Sequence, residues 1–255
     1  MGLANLFKEM LDCIYPDSLY CICCGKIIDD SRTYRLCDDC FKSMKWIGER
    51  TCDRCGKVLS KSNPGRLCFN CREHAHSFGK GFTCTEYGAH ERAIVFALKY
   101  DDRTDIARTI GEIMADRMLA IYSKQELQEK YDILVPIPVS SGKKSSRGYN
   151  QAALISEYLA KNTGLVYRGE ILERRNETIA MKGLSPDERR RNIQGCFGLI
   201  DNKRSLIESA KCLVADDIYT TGATVDEVVG ILLENGAEKV DFITFSAGAD
   251  MVKSL

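Results

Sequence analysis

No stretch of about 18 uncharged apolar residues occurs in this chain of 255 residues, which excludes an ordinary transmembrane helix. The opening MGLANLFKEMLDCIYPD lacks a basic leader ahead of a long apolar run, so no secretory signal is expected and the chain reads as cytoplasmic. Charge of one sign is not in excess either. Lys plus Arg number 36 and Asp plus Glu 36, leaving no global field to draw the chain onto nucleic acid or anionic lipid. Histidine is scarce, at His74, His76 and His90 only, and no residue announces itself as a general base.

Cysteine is the exception, with 13 residues. In a secreted chain they would suggest disulfides; without a leader they suggest metal ligation. Four CxxC pairs, Cys21/Cys24, Cys37/Cys40, Cys52/Cys55 and Cys68/Cys71, repeat in register, the last two following the first two by 31 residues. Their surroundings repeat as well: Cys24-Gly25-Lys26-Ile27 matches Cys55-Gly56-Lys57-Val58, and Arg35-Leu36-Cys37 matches Arg66-Leu67-Cys68. This is an internal duplication.

A CxxC turn aims two sulfurs at one point, and the glycine after it lets backbone N–H groups face them. Two such turns complete a tetrahedral four-cysteine site, so each repeat reads as a zinc ribbon, with the stretches 25–36 and 56–67 as short hairpins. Two structural Zn²⁺ ions are expected, closed to catalysis by four thiolates and supplying folding free energy that so small a core cannot. Four-cysteine sets also bind iron, and one repeat lending a pair to the other is a second arrangement. Cys13, Cys23, Cys84, Cys196 and Cys212 read as small buried hydrophobes, and His74 and His76 as surface residues. Residues 1–78 carry 12 Lys or Arg and 10 Asp or Glu. Two filled thiolate sites bring that unit to about −2, which argues against a strongly basic nucleic-acid platform.

From residue 79 the texture changes, which divides the chain into a double zinc ribbon (1–78) and an α/β domain (79–255). Ile106, Ile110, Ile113, Met114 and Ile121 recur at helical spacing, and Leu154, Ile155, Tyr158 and Leu159 mark a helix stopping near Thr163-Gly164. Short apolar runs at 131–136, 212–215 and 240–245 read as buried strands. Strands alternating with helices predict a mostly parallel sheet flanked by helices, with ligands at the carboxyl ends of the strands.

One such end stands out. Leu213-Val214-Ala215 runs into Asp216-Asp217 and then a small, hydroxyl-rich turn, Thr220-Thr221-Gly222-Ala223-Thr224. The stripe Val225, Val228, Val229, Leu232 and Leu233 follows as a helix, stopped at Asn235-Gly236. Backbone N–H groups opening that helix favour a dianionic phosphate, and Gly222 permits close approach. Two carboxylates one turn away cannot bind the same anion, but they can accept hydrogen bonds from vicinal hydroxyls, as a ribose 5-phosphate offers. A Walker A loop is excluded because no GK[ST] follows, and the three-glycine dinucleotide pattern is absent. Positive charge gathers in two further places: the loop from Ser140 to Arg147, with Lys143, Lys144 and Arg147, and a short helix after Arg174-Arg175. That helix has Ser185 as cap, Pro186 first and Glu188 closing the box, then Arg189-Arg190-Arg191, placed to cover a ligand.

The segment 213–225 closely resembles the diphosphoribose-binding signature of type I phosphoribosyltransferases. With the cysteine duplication in front, residues 10 to 248 are similar to the ComF family, known for its link to competence and DNA uptake. Pro136 to Val139, Arg147 to Gln151, Gly183-Leu184-Ser185 and Glu188 to Asn192 carry the same likeness. Met181 stands where that family carries glutamine. The resemblance implies a type I fold, with Asp216 and Asp217 on the ribose hydroxyls of phosphoribosyl diphosphate and Thr220 to Thr224 on its 5-phosphate. It puts the pyrophosphate, with Mg²⁺, on Lys143, Lys144 and Arg147. Two functions follow from it. One is transfer of ribose 5-phosphate to a nitrogen nucleophile with pyrophosphate release. The other is a non-catalytic adaptor that binds the ligand or DNA and acts in transformation through its ribbons, with a protein or single-stranded DNA partner.

Overall fold

The computed structural model describes residues 19–176 and 185–250; Cys13, Met181 and the Gly183-Leu184 match lie outside them. Each ribbon begins with a knuckle whose flanks pair antiparallel, Tyr20 with Ile27 and Thr51 with Val58. Gly25 and Gly56 turn those knuckles at φ +72° and +75°, a region open to glycine. The second pair of each repeat sits at the start of a helix. Cys37 and Cys68 cap short helices, α1 (Asp38–Ser43) and α2 (Phe69–Glu73), on which Cys40 and Cys71 ride. A helix N-terminus supplies unpaired N–H groups that a thiolate can use, which a strand would spend on its ladder.

Beyond the ribbons the order is β1 (Gly81–Glu86), α3 (Ala89–Tyr100), α4 (Ile106–Leu119), α5 (Lys124–Lys130), β2 (Ile133–Pro136), α6 (Ser141–Arg147), α7 (Gln151–Thr163), β3 (Leu172–Arg174), α8 (Pro186–Ile193), β4 (Phe197–Leu199), β5 (Lys211–Tyr219), α9 (Ala223–Glu234) and β6 (Lys239–Ala247). The main sheet runs β1-β6-β5-β2, and each neighbouring pair is parallel. β3 and β4 form a separate antiparallel pair. Two end signals act as the sequence predicts: Gly164 ends α7 at φ +80°, and Ser185 with Glu188 boxes the start of α8; the structure adds Asn150 as the cap of α7, accepting from Ala152 N–H.

A strand buried on both faces sends alternate side chains to opposite sides. On β5, Leu213 and Ala215 join one core with α3, α4 and α7, whereas Cys212 and Val214 join another with α9. The ribbons follow that division. Cys21, Cys37 and Cys40 belong to the first core, and Cys52, Cys55 and Cys68 to the second. Cys84, Cys196 and Cys212 are buried, as small hydrophobes would be, and Cys23 is half-buried.

Two expectations need correction. The stretch from Ser140 to Arg147 is not a loop: residues 141–147 wind into α6, closed by Gly148 at φ +79°. Nor is His76 a surface residue. Its ring is 1% exposed, stacked on Phe78 at 4.7 Å and bonded to Asp226 at 2.7 Å, because the chain leaving the second ribbon turns directly under α9.

Candidate phosphate site and metal centres

The ligand sets of the two ribbons are sequential rather than interleaved. The sulfurs of Cys21, Cys24, Cys37 and Cys40 all lie within 4.8 Å of one another, as do those of Cys52, Cys55, Cys68 and Cys71. Four sulfurs about 2.3 Å from a tetrahedral ion stand about 3.8 Å apart. Cys24 and Cys37 are separated by 3.8 Å, and Cys55 and Cys68 by 3.6 Å. Cys37 N–H points at Cys21 Sγ at 3.4 Å, the donor that a metal-bound thiolate needs. Both clusters fit structural Zn²⁺, which would fasten knuckle to helix in each ribbon.

β5 continues two residues past the acidic pair before it ends, so Asp216 sits in register opposite Thr244 and Tyr219 opposite Ala247. The turn beyond it lies at the carboxyl edge of the central strands, where the parallel order leaves no further strand to cover it. Gly222 caps α9 at φ +87°. A Cβ there would come within 2.7 Å of Tyr219 Oη and 3.0 Å of the His76 ring, so the position requires glycine on both counts. Thr220 is exposed, Thr221 and Thr224 half-buried, and Gly222 and Ala223 buried. Among the described residues no acceptor meets the N–H groups of Thr221, Gly222, Ala223 or Thr224. These are the orphan donors of a helix start. The Tyr219 hydroxyl, buried beside Gly222, also has no hydrogen-bond partner among them.

The two carboxylates differ in setting. Asp217 is 3% exposed and faces Lys99 at the end of α3, Nζ to Oδ2 2.5 Å, an ion pair rather than an aligned hydrogen bond. Burial alone would lower the Lys99 ammonium, but the charges of Asp217 and Asp216 outweigh it and raise its pKa. Asp216 is half-buried and accepts from the Asp217 N–H at 2.8 Å. Burial, reinforced by the neighbouring Asp217 charge, pushes its pKa up to about 8. The site therefore holds one carboxylate tied to a lysine and a second one free to change its protonation near neutrality.

Of the basic residues expected to receive the pyrophosphate, Arg147 stands beside the end of α3. Its guanidinium lies 4.9 Å over the Tyr100 ring, next to Lys99, and donates to Gln151. Lys143 and Lys144 are exposed along α6. Arg190 and Arg191 of α8 line a cleft of about 450 Å³ with Ala223 of the phosphate turn and with Glu227, Ile231 and Glu234 along α9.

Four residues at the turn escape sequence reasoning. Lys99 lies in the last turn of α3 with no motif to mark it. Lys57, Asn70 and His76 reach the turn from the second ribbon: Lys57 Nζ donates to the Thr220 carbonyl, Asn70 Nδ2 to the Thr221 carbonyl at 3.0 Å, and His76 holds Asp226 in the first turn of α9.

A family model described as the phosphoribosyl transferase domain matches residues 104–253. The chain belongs to that family. Residues 10–72 match the double zinc ribbon domain, so the phosphoribosyl transferase domain here carries the ribbons in front of it. The "DNA utilization protein YhgH" of Salmonella typhimurium is 30% identical over 147 residues, covering 58% of this chain and 63% of that protein, so the match spans less than two thirds of the relative. The "Competence protein ComFC" of Streptococcus pneumoniae is 28% identical over 239 residues, 89% of this chain and 98% of that one. Together they bear out the resemblance to the ComF family. Among solved structures, a hypoxanthine phosphoribosyltransferase from Trypanosoma cruzi aligns at 17% identity and a TM-score of 0.35, over 57% of this chain and 78% of that chain.

Proposed function

We propose that the phosphoribosyl transferase domain binds phosphoribosyl diphosphate at the segment from Asp216 to Thr224. The observation that carries this reading is the glycine-capped start of α9, with its unmet N–H donors one turn from two carboxylates. The donors of Thr221 to Thr224 and the hydroxyls of Thr220, Thr221 and Thr224 take the 5-phosphate, helped by the helix dipole. Asp216 accepts from the ribose hydroxyls, with Asp217 beside it held in place by Lys99. Arg147, Lys143 and Lys144 receive the diphosphate, whose charge Mg²⁺ would offset when bound with it.

Turnover would break the bond from ribose C1 to the diphosphate as a nitrogen nucleophile adds, with positive charge building on the sugar ring; the carboxylates stabilise that charge and the basic residues the leaving group. Titration with magnesium phosphoribosyl diphosphate tests binding, and pyrophosphate release across a panel of nucleobases tests transfer. Tight binding with no release assigns the protein to the adaptor reading; no binding at all sinks transfer and leaves the adaptor reading only in its DNA-binding form. The described cysteines serve as metal ligands or buried apolar groups rather than in disulfides, which suits a reducing cytoplasm, and the role proposed is in competence or DNA utilization, as the names of the relatives have it.

The adaptor reading has its own support on the first ribbon. Tyr34, Phe41 and Trp46 form a cluster with centroids 5.2 to 6.4 Å apart, bordering a groove of about 380 Å³. Aromatic platforms of this kind stack single-stranded bases. Trp46 is the sole tryptophan, so quenching of its emission by an oligothymidylate, lost in Phe41→Ala, would report such binding.

A further inference from the structure

The duplication supplies two ribbons of the same plan, and among the described residues the second touches the phosphate turn while the first does not. Lys57 and Asn70 stand beside its metal ligands, two residues after Cys55 and one before Cys71. Lys57 is 5% exposed and donates to the carbonyl of Thr220; Asn70 donates to the carbonyl of Thr221 at 3.0 Å and lies 3.1 Å from the His76 ring.

In a trans peptide the C=O of one residue and the N–H of the next point in opposite directions. Drawing the Thr220 carbonyl toward the ribbon therefore turns the Thr221 N–H away from it, and drawing the Thr221 carbonyl back does the same for Gly222. These are two of the donors that find no acceptor within the described chain. His76 completes the hold through Asp226, whose own N–H bonds to the Gly222 carbonyl at 2.7 Å.

The first ribbon shows what these positions do when they are not used in this way. Thirty-one residues earlier stand Lys26 and Asp39, which pair with each other at 3.0 Å with side chains 66% and 79% exposed. The change from aspartate to asparagine is the one the second ribbon needs. A carboxylate only accepts hydrogen bonds, whereas an amide donates to a carbonyl.

We infer that the second zinc ribbon is a working part of the phosphate site, in which Lys57, Asn70 and His76 act as positioning residues that aim the backbone donors of Thr221 and Gly222 at the ligand. The first ribbon has no such role. This rests on the phosphoribosyl reading of the turn. It makes the metal-bound state of the second ribbon a determinant of ribose phosphate affinity.

The test uses the full chain, zinc-loaded, with ribose 5-phosphate as probe. Affinity is measured by calorimetry, the Thr221 and Gly222 amide shifts by NMR, and zinc content and melting on the same samples. Asn70→Asp and Lys57→Met are expected to weaken binding about tenfold or more with both zinc ions retained, and to reduce the shift of those two amides on ligand addition. Lys26→Met and Asp39→Asn should bind within about twofold of the parent. A folded, zinc-replete Asn70→Asp variant with parental affinity would overturn this inference alone. If Asn70→Asp does not fold, Lys57→Gln decides by the same criterion. A parent protein blind to ribose 5-phosphate would bring down the phosphoribosyl reading, and this inference with it.

Discussion

The two ribbons descend from one duplicated unit and bind metal with the same four-cysteine spacing, yet they lie in different cores on opposite faces of the sheet. The first docks on α3 and α4: Arg35 pairs with Asp105, Tyr34 bonds Asp116, and Lys45 N–H reaches the buried Glu91. The second docks on β5 and α9 and holds the back of the phosphate turn. The lesson is that a metal site conserves a local shape but says nothing about what that shape is pressed against. Ligand spacing is a local matter, whereas the use of the neighbouring lysine and amide depends on which face of the sheet receives the ribbon.

The largest effect should come from removing one ligand in each ribbon. Cys55 is fully buried in the core it shares with Tyr219 and Phe242, so Cys55→Ser should cost several kcal/mol, on the order expected when metal binding and folding are one event. It should abolish ribose 5-phosphate binding. Cys24 is exposed, and Cys24→Ser should release the first zinc while leaving that binding within about twofold. Calorimetry beside zinc quantitation checks both, and equal losses from the two variants would erase the asymmetry.

Next in size is the pair that joins the first core to the site. Lys99 and Asp217 are 17% and 5% exposed at the side chain. Lys99→Met leaves a buried carboxylate without its counter-ion and should destabilise the fold by about 3–5 kcal/mol in urea unfolding. Adding Asp217→Asn should restore most of the loss, since it removes the stranded charge. Failure of the second change to rescue the first would mean that Lys99 acts through packing instead.

A smaller effect concerns pH. Asp216 has its pKa raised to about 8, so its protonated form is the one the unliganded fold favours. Stability from this group is therefore present at low pH and declines as pH rises through about 8. Ligand affinity should move the other way, because ribose hydroxyls and a magnesium-bound diphosphate both favour the carboxylate. Binding should tighten between about pH 7 and 9, by at most about tenfold, with proton release visible in buffers of different ionisation enthalpy. Asp216→Asn should flatten that profile. Smallest of all is the exposed Lys26–Asp39 pair: Lys26→Met should not shift the melting midpoint measurably.

Local chemistry was readable from residues alone. Four CxxC pairs in register announce two metal sites, because sulfur geometry is set within four residues. The Asp216 to Thr224 turn announces an anion site, because a strand, a glycine and a helix start follow one another without a break. A capping box and a glycine stop placed Ser185 and Gly164 correctly for the same reason. Residues 141–147 misled, since a serine- and lysine-rich run with a glycine carries too weak a period to separate a short helix from a loop.

Sequence by itself thus determined the metal ligands, the alternation of strands and helices, and the loop where phosphate is expected, all properties of contiguous segments. Only the tertiary structure decided that the ligand sets are sequential, that Lys99 meets Asp217 across 118 positions, and that the second ribbon rather than the first supports the turn. Those depend on which faces of a parallel sheet the two ribbons cover. That choice comes from burying apolar surface over the whole chain, and no short stretch of residues records it.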